Sequence, residues 1–468
     1  MTQASLPARP NLEYLKKLSK RRLREMRATT PNAKLADAQL AVAREHGFAS
    51  WRRLKAHVDA ANMTAASSPS APYEDPFVTA LPEHRKTHKI VNWKPLMDAA
   101  FDGDVARARK LLDAGADPNC ISTTPHRYRP LHRAMESKKT RPRGPEHERV
   151  VRLLLERGAD PKLRATITQL TALQLAAQGE TRFVPILLPL FQPLDIFHAA
   201  AVGDDQRVAS LLKKDASLAT ALDTNGWTAL HYCCGSASFK SSPAAAEALV
   251  RIATMLLERG ADPMAFFLFN DTWPMRPLYF CCGLHDNPAV AELLFRAGAT
   301  PYDDETVYHA ADEGHPGALA LIEKYADPKL LAAEAGKNLA SMLHWGHTRG
   351  AKWLLEHGAD PNKVFPRFGN SALHEAVIRR ANDATLKLLL KHGGDPTRKN
   401  ANGMTALQLA RVSENRGPSR PCPTGRDGRP GSRQKVAAAT RMLAILQSAT
   451  RPKSGSRSNP KSKKGGRR

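Results

Sequence analysis

The sequence predicts an all-α solenoid of stacked helix pairs, and three observations carry that prediction. The first is a recurring phrase: "LLERGADP" at residues 154–161 returns letter for letter at 256–263, with looser copies "LLDAGADP" from Leu111, "LFRAGATP" from Leu294, "LIEKYADP" from Leu321, "LLEHGADP" from Leu354 and "LLKHGGDP" from Leu389. In most copies a branched apolar pair closes a buried helix face, a Gly can take φ > 0 at C′, and Pro forbids continuation, so the phrase is a helix stop. The second is that helix starts alternate with these stops. The third is composition: 42% hydrophobic residues with only 6% aromatic suit helices packed through Ala and Leu.

Residues 1–61 are read as a helical leader module. "NLEYLKKLSKRRLREM" (11–26) sets Leu12, Leu15, Leu23 and Met26 on one helical stripe, with Lys16, Lys17, Lys20, Arg21 and Arg24 largely off it. "LADAQLAVAREHGFASWRRLKAHV" (35–58) gives a helix stopped by Gly47 and another capped by Ser50. The Ala43–Gly47 turn has the spacing of a helix-turn-helix, but Arg53 falls where that motif wants a buried aliphatic, and a packing or accessory module is the other reading. Residues 62–90 are expected to be a linker, since "AANMTAASSPSAPYEDP" (60–76) is rich in Ala, Ser and Pro, and it would let the modules move independently.

Residues 91–449 hold the array. Thr171, Thr228, Ser371 and Thr405 precede "AL" starts as N-caps, while Pro95, Pro130 and Pro277 stand at the first helical turn, where a missing N–H costs nothing. From Gly115 the stops fall at Gly158, Gly260, Gly298, Tyr325, Gly358 and Gly393, in steps of 43, 102, 38, 27, 33 and 35. The longest step hides further units, among them residues 170–191 and "DIFHAAAVGDDQRVASLLKKDASLA" (195–219). A period near 33, built as capped helix, turn, second helix and stop, resembles the ankyrin repeat with its T-P-L-H-x-A and G-A-D-x-N signatures. The resemblance covers about three-quarters of the chain in about ten units between Trp93 and Ser448, and "DIFHAAAVGD…NGWTALHYCC" looks similar to bacterial ankyrin-repeat proteins. It implies a noncatalytic scaffold that binds an unidentified protein partner through a concave surface.

No catalytic residue, cofactor site or metal site is expected, because there is no P-loop, G-x-S-x-G or H-E-x-x-H and no G-x-G-x-x-G after a strand. His132, His231 and His374 occupy the L-H position, and His198 and His309 a related one. The resemblance implies that such histidines bridge the turns of neighbouring units. Cys233, Cys234, Cys281 and Cys282 fill an Ala-Ala slot where helices pack closely; His231, Cys233, Cys281 and His285 have metal-ligand chemistry but lack C-x₂-C spacing. Buried thiols in a reducing cytoplasm are the better reading. The N-terminus has no continuous apolar h-region, and the most apolar run, 183–197, is cut by three prolines and Asp195, so neither secretion nor a membrane span is expected. A cytoplasmic monomer is the expectation.

The net charge of +25 belongs to the ends: residues 1–61 carry +8 and 411–468 carry +14, leaving +3 for the rest. The tail, 450–468, has eight Lys/Arg and no acid, is expected to be disordered, and supplies the alternative function, weak nucleic-acid association. Within the array, residues 126–152 hold nine Lys/Arg against three Glu and are read as a solvated insertion that could hold an acidic partner. The candidate partner-binding residues are aromatics spent on connections: Phe266, Phe267, Phe269 and Trp273 in 264–276, Phe365 and Phe368 in "NKVFPRFGN" (362–370), and Tyr128 in "CISTTPHRYR" (120–129). Phe267 and Phe269 can equally pack on neighbouring turns, so Trp273 is the strongest candidate anchor.

Overall fold

The computed structural model describes residues 12–46, 48–66, 94–122, 128–136, 143–165, 169–269, 273–364, 369–415 and 432–450. The chain divides into two compact units, residues 1–310 with 315–326, and residues 311–314 with 327–468. Among the described residues no helix is long and apolar enough to cross a membrane.

The leader is three helices, α1 (Leu12–Thr29), α2 (Leu35–Glu45) and α3 (Trp51–Ala66), around a small core of Leu15, Val42, Ala43, Leu54 and Val58 with Leu18, Phe48 and Trp51 at its edge. The buried line of α1 differs from the expected stripe: Leu15 and Ser19 are buried, whereas Leu23 and Met26 are half-buried. Ser19 is tolerated there because its hydroxyl donates to Leu15 O at 2.9 Å. Arg53 is exposed and Leu54 takes the buried place beside it. Residues 62–66 of the expected linker continue α3, while Gly47 and residues 67–93 lie outside the described residues.

Seven helix pairs follow in or at the edge of the first unit: Lys94–Asp102 with Val105–Asp113; Pro130–Met135 with Pro145–Glu156; Ala172–Gln178 with the proline-broken turns of 181–191; Ile196–Val202 with Asp205–Lys214; Ala229–Cys234 with Pro243–Glu258; the π-turn Tyr279–Leu284 with Pro288–Arg296; and Thr306–Glu313 with Pro316–Tyr325. The second unit holds three: Pro328–His344 with Ala351–Glu356, Ala372–Ile378 with Asp383–Lys391, and Ala406–Asn415 with Ser432–Thr450. These ten pairs among the described residues are the units counted in the sequence. Their cores are the alternating Leu and Ala of each helix, such as Leu173, Ala176 and Ala177, all essentially unexposed.

Most starts and stops act as read; Ser371 is the exception among the expected N-caps, its hydroxyl making no cap bond and lying 2.7 Å from His374 Nδ1 instead. Thr171 and Thr228 accept from the N–H groups of Gln174 and His231 at 3.3 Å. Asp104, Asp204, Asn287 and Asn382 do the same for second helices. Gly158 and Gly260 sit at φ 86° and 84°. Gly158 N–H donates to Leu155 O at 3.1 Å and Ala159 N–H to Leu154 O at 2.9 Å, the paired closure of a Schellman motif. Tyr325 departs from the pattern. There the helix ends with Ala326 extended at φ −79°, and Asp327 caps the next helix by accepting from the N–H groups of Lys329 and Leu330, so "YADP" is a stop fused to a start. Because nothing lies within 4 Å of a Cβ built on Gly158 or Gly260, substitution there isolates the backbone cost. Gly158→Val and Gly260→Val are each expected to lose about 1–2 kcal/mol through the left-handed φ alone. Chemical denaturation checks this, and unchanged midpoints in both variants would remove the cap.

The L-H histidines bridge neighbouring units. The Nε2–H groups of His132, His231 and His374 donate to Leu170 O, Met275 O and Met404 O at 3.0, 3.3 and 3.0 Å. On the other side of the ring, Thr228 N–H donates to His231 Nδ1 at 3.1 Å, which fixes the neutral tautomer.

Candidate protein-binding face

The connection after the fifth helix pair is a β-hairpin rather than a plain turn. β1 (Phe267–Phe269) pairs antiparallel with β2 (Trp273–Met275) in the register Phe267↔Met275, Leu268↔Pro274 and Phe269↔Trp273. Aromatic residues at alternate positions favour this ladder, and its shortness accommodates Pro274, which has no N–H to give.

Phe267 is buried and stacks on Trp227, ring centroids 4.3 Å apart at 20°. Trp227 in turn meets Tyr232 at 4.9 Å and Phe280 at 5.1 Å. Beneath this cluster lies a buried ion pair, Arg164 Nη1 to Asp223 Oδ2 at 3.0 Å, with the side chains 3% and 0% exposed. Asp223 also accepts from Tyr232 Oη–H at 2.8 Å and from the N–H groups of Trp227 and Asn225 at 2.9 and 2.8 Å. Burial pushes the Tyr232 phenol well above its ordinary range. The hairpin therefore stands on a base with little freedom to shift.

The candidate aromatics separate on this geometry. Phe267 faces inward and packs within the chain. Phe269 and Trp273 are half-buried and form a cross-strand pair with centroids 6.3 Å apart; Phe266, also half-buried, precedes them. Tyr128 belongs to another repeat: it is half-buried, its ring lies 5.2 Å from the Arg133 guanidinium, and burial raises its phenol. Phe365 and Phe368 lie outside the described residues, as does the basic tail. In the second unit, exposed apolar side chains that the aromatic-rich insertions did not flag are Leu330, Trp345 and Ile378.

The basic segment 126–152 is not simply a solvated insertion. The Arg143 residue is 3% exposed; its guanidinium donates to Phe101 O at 2.7 Å and to Glu136 O, and lies 4.6 Å from the Phe101 ring. Arg133 covers the same ring at 4.0 Å, and Arg129 Nε–H donates to Arg164 O at 3.1 Å. These guanidinium groups fasten turns, because a planar fork can satisfy several carbonyls while its face rests on an aromatic ring.

One arrangement has the connectivity of a nucleophilic relay. Thr171 Oγ1 lies 3.1 Å from His198 Nε2, and His198 Nδ1 lies 2.6 Å from Asp195 Oδ2. Thr171 is only 2% exposed, however, and its hydroxyl already accepts the Gln174 N–H, so the chain of bonds fastens the third repeat to the fourth. The suggested metal set is committed elsewhere too. His231 serves Met275 O, and His285 Nε2–H donates to Gly235 O at 3.1 Å. Cys233 and Cys281 are buried free thiols whose pKa values burial pushes up. Among the described residues no cluster of three or more His, Cys, Asp or Glu has the arrangement of a metal site.

Comparison with known proteins matches two stretches. A family model described as ankyrin repeats, in three copies, covers residues 338–417, and a single ankyrin-repeat model covers 225–266. The chain is 26% identical over 263 residues to the Homo sapiens SH3 and multiple ankyrin repeat domains protein 2, covering 56% of this chain and 10% of that one. It is 35% identical over 97 residues to ankyrin repeat and SOCS box protein 6 of Homo sapiens, covering 20% of this chain and 23% of the relative. The chain thus spans a tenth and less than a quarter of these relatives. The solved ankyrin repeat domain of human ASB11 aligns over 55% of this chain and 99% of its own at 20% identity, with a TM-score of 0.37. The relatives named are human, so they lend no support to the expected bacterial type.

Proposed function

We propose that the chain is a noncatalytic scaffold that binds a protein partner, with the hairpin of the fifth repeat as its principal contact. The observation that carries this reading is the division of the hairpin aromatics: Phe267 is consumed in the core, while the Phe269–Trp273 pair is held half-buried on top of it. Large rings whose positions are fixed before binding lose little entropy on association and serve as interface anchors. Stacked repeats supply the long surface around such an anchor. The reading includes a monomer and a cytoplasmic location, the latter supported by the buried free thiols at Cys120, Cys233, Cys234, Cys281 and Cys282.

Trp273→Ala is expected to weaken binding to a partner recovered with the full chain at least tenfold, about 1.4 kcal/mol, with an almost unchanged melting temperature. Phe267→Ala provides the contrast. It should destabilise the fold by about 3–5 kcal/mol, since its ring is part of the Trp227 cluster. Calorimetry beside a thermal melt separates the two, and intact affinity in Trp273→Ala would remove the hairpin from the partner site.

A further inference from the structure

The leader and the hairpin are far apart in sequence yet adjacent in the fold: α1 approaches β1 to within 8 Å between Cα atoms. That proximity was not expected of a module joined through a linker, and the charges on the two sides suggest its cause. α1, "LEYLKKLSKRRLREMRAT", carries seven Lys/Arg against two Glu. The turns flanking the hairpin, "DPMAF" (262–266) and "TPYDDE" (300–305), present Asp262, Asp304 and Glu305; Asp303 is buried and bonded to Thr306, and Arg276 rests against the Met264 sulfur. These turns are neighbours, since Thr300 N–H reaches the Met264 sulfur at 3.3 Å. Asp262 and Asp304 are exposed, as are Lys16 and Lys20 one helical turn apart on α1.

We propose that the leader is an intramolecular cover for the hairpin face, held by attraction between the basic helix α1 and the acidic turns around β1, so that a protein partner reaches the hairpin by displacing it. This rests on the reading of the hairpin as the partner contact. It adds a regulatory role for the leader: anything that competes for its positive charge, such as an acidic segment of the partner itself, opens the face. The leader has its own core, so it can leave the hairpin without unfolding. The attraction is between surface groups and is therefore screened by salt, the Debye length falling from about 10 Å at 0.1 M to about 3 Å at 1 M.

Hydrogen–deuterium exchange of the full-length chain tests this without a partner. The amides of residues 264–276 are followed in the wild type at 0.05 and 1 M salt, and in Lys16→Glu/Lys20→Glu at low salt. Exchange around Val42 and Leu54 reports whether the leader itself remains folded. The cover predicts hairpin exchange at least tenfold faster in the double variant and in the wild type at high salt, with the leader core still protected. Hairpin exchange that is the same in the double variant as in the wild type overturns it. Because the readout is the hairpin amides alone, this failure is distinct from an intact affinity in Trp273→Ala, which would overturn the partner contact and leave the cover standing.

Discussion

Asp223→Ala is expected to lose at least about 3–5 kcal/mol of stability, the cost of leaving a buried charge without its partner. The Arg164 guanidinium would remain 3% exposed with its counter-ion gone, and Tyr232 and the N–H groups of Asn225 and Trp227 would lose their acceptor in the same step. The side chain is placed where residues 59 apart in sequence meet, so the damage would extend from the turn after the second helix pair to the start of the fifth. Asp223→Asn separates charge from hydrogen bonding: its amide oxygen can still accept from the backbone, so it should lose less than Asp223→Ala. Urea denaturation with tryptophan fluorescence measures both, and an Asp223→Ala midpoint equal to the wild type would mean that the pair is not buried. A typical domain has only about 5–15 kcal/mol in hand, so this one substitution consumes a large share.

That ion pair also marks where sequence reading stops. The Gly and Pro punctuation was legible because left-handed φ and a missing N–H are local demands, satisfied by the residue at the site whatever surrounds it. The ten helix pairs followed from punctuation and Leu spacing. The bridging histidines were expected only through the family resemblance: His132, His231 and His374 reach carbonyls 38, 44 and 30 residues on, too uneven a spacing to read directly, and His309 pairs instead with Glu305 just ahead of its own helix. Arg164–Asp223 had no such signal: both residues stand in turns that look solvated, and only stacking buries them. Arg143 was misjudged for the same reason, as nine cations in one segment read as a solvated face when the burial of one of them depends on the Phe101 ring from the preceding repeat. Within the hairpin, composition gave four aromatics but not their sides. The strand alternation that turns Phe267 inward and the register that sets Phe269 against Trp273 required the fold.

Acidification should destabilise the first unit steadily as pH falls below about 6.5. Burial holds His132 at about 3, His231 at about 4 and His285 at about 4, each below the ordinary 6.5, and all three are in that unit. For His231 the bonding pattern agrees, because a proton on Nδ1 would point at the Thr228 N–H. Below pH 6.5 the unfolded chain takes up protons at these imidazoles and the folded chain does not, so stability is present above that value and lost as pH falls toward 4. Each group contributes about 1.4 kcal/mol per pH unit in that window, together about 4. Asp303 opposes them: burial raises its carboxyl from 3.8 to about 6, so the folded state binds the extra proton between those values and gains about 1.4 kcal/mol per unit on acidification. Three imidazoles outweigh one carboxyl, leaving a net loss of about 3 kcal/mol per pH unit between about 6 and 4. The sequence supplies the control substitution, since Gln174 and Gln408 occupy the same helix-start position that His231 does and likewise accept a backbone N–H, from Thr171 and Thr405. His231→Gln should keep the cap, remain neutral at every pH, and reduce the slope by about 1.4 kcal/mol per unit. Urea titrations from pH 7.5 to 5 for both chains measure it, and parallel curves would show that His231 takes up its proton as readily in the folded chain as in the unfolded one.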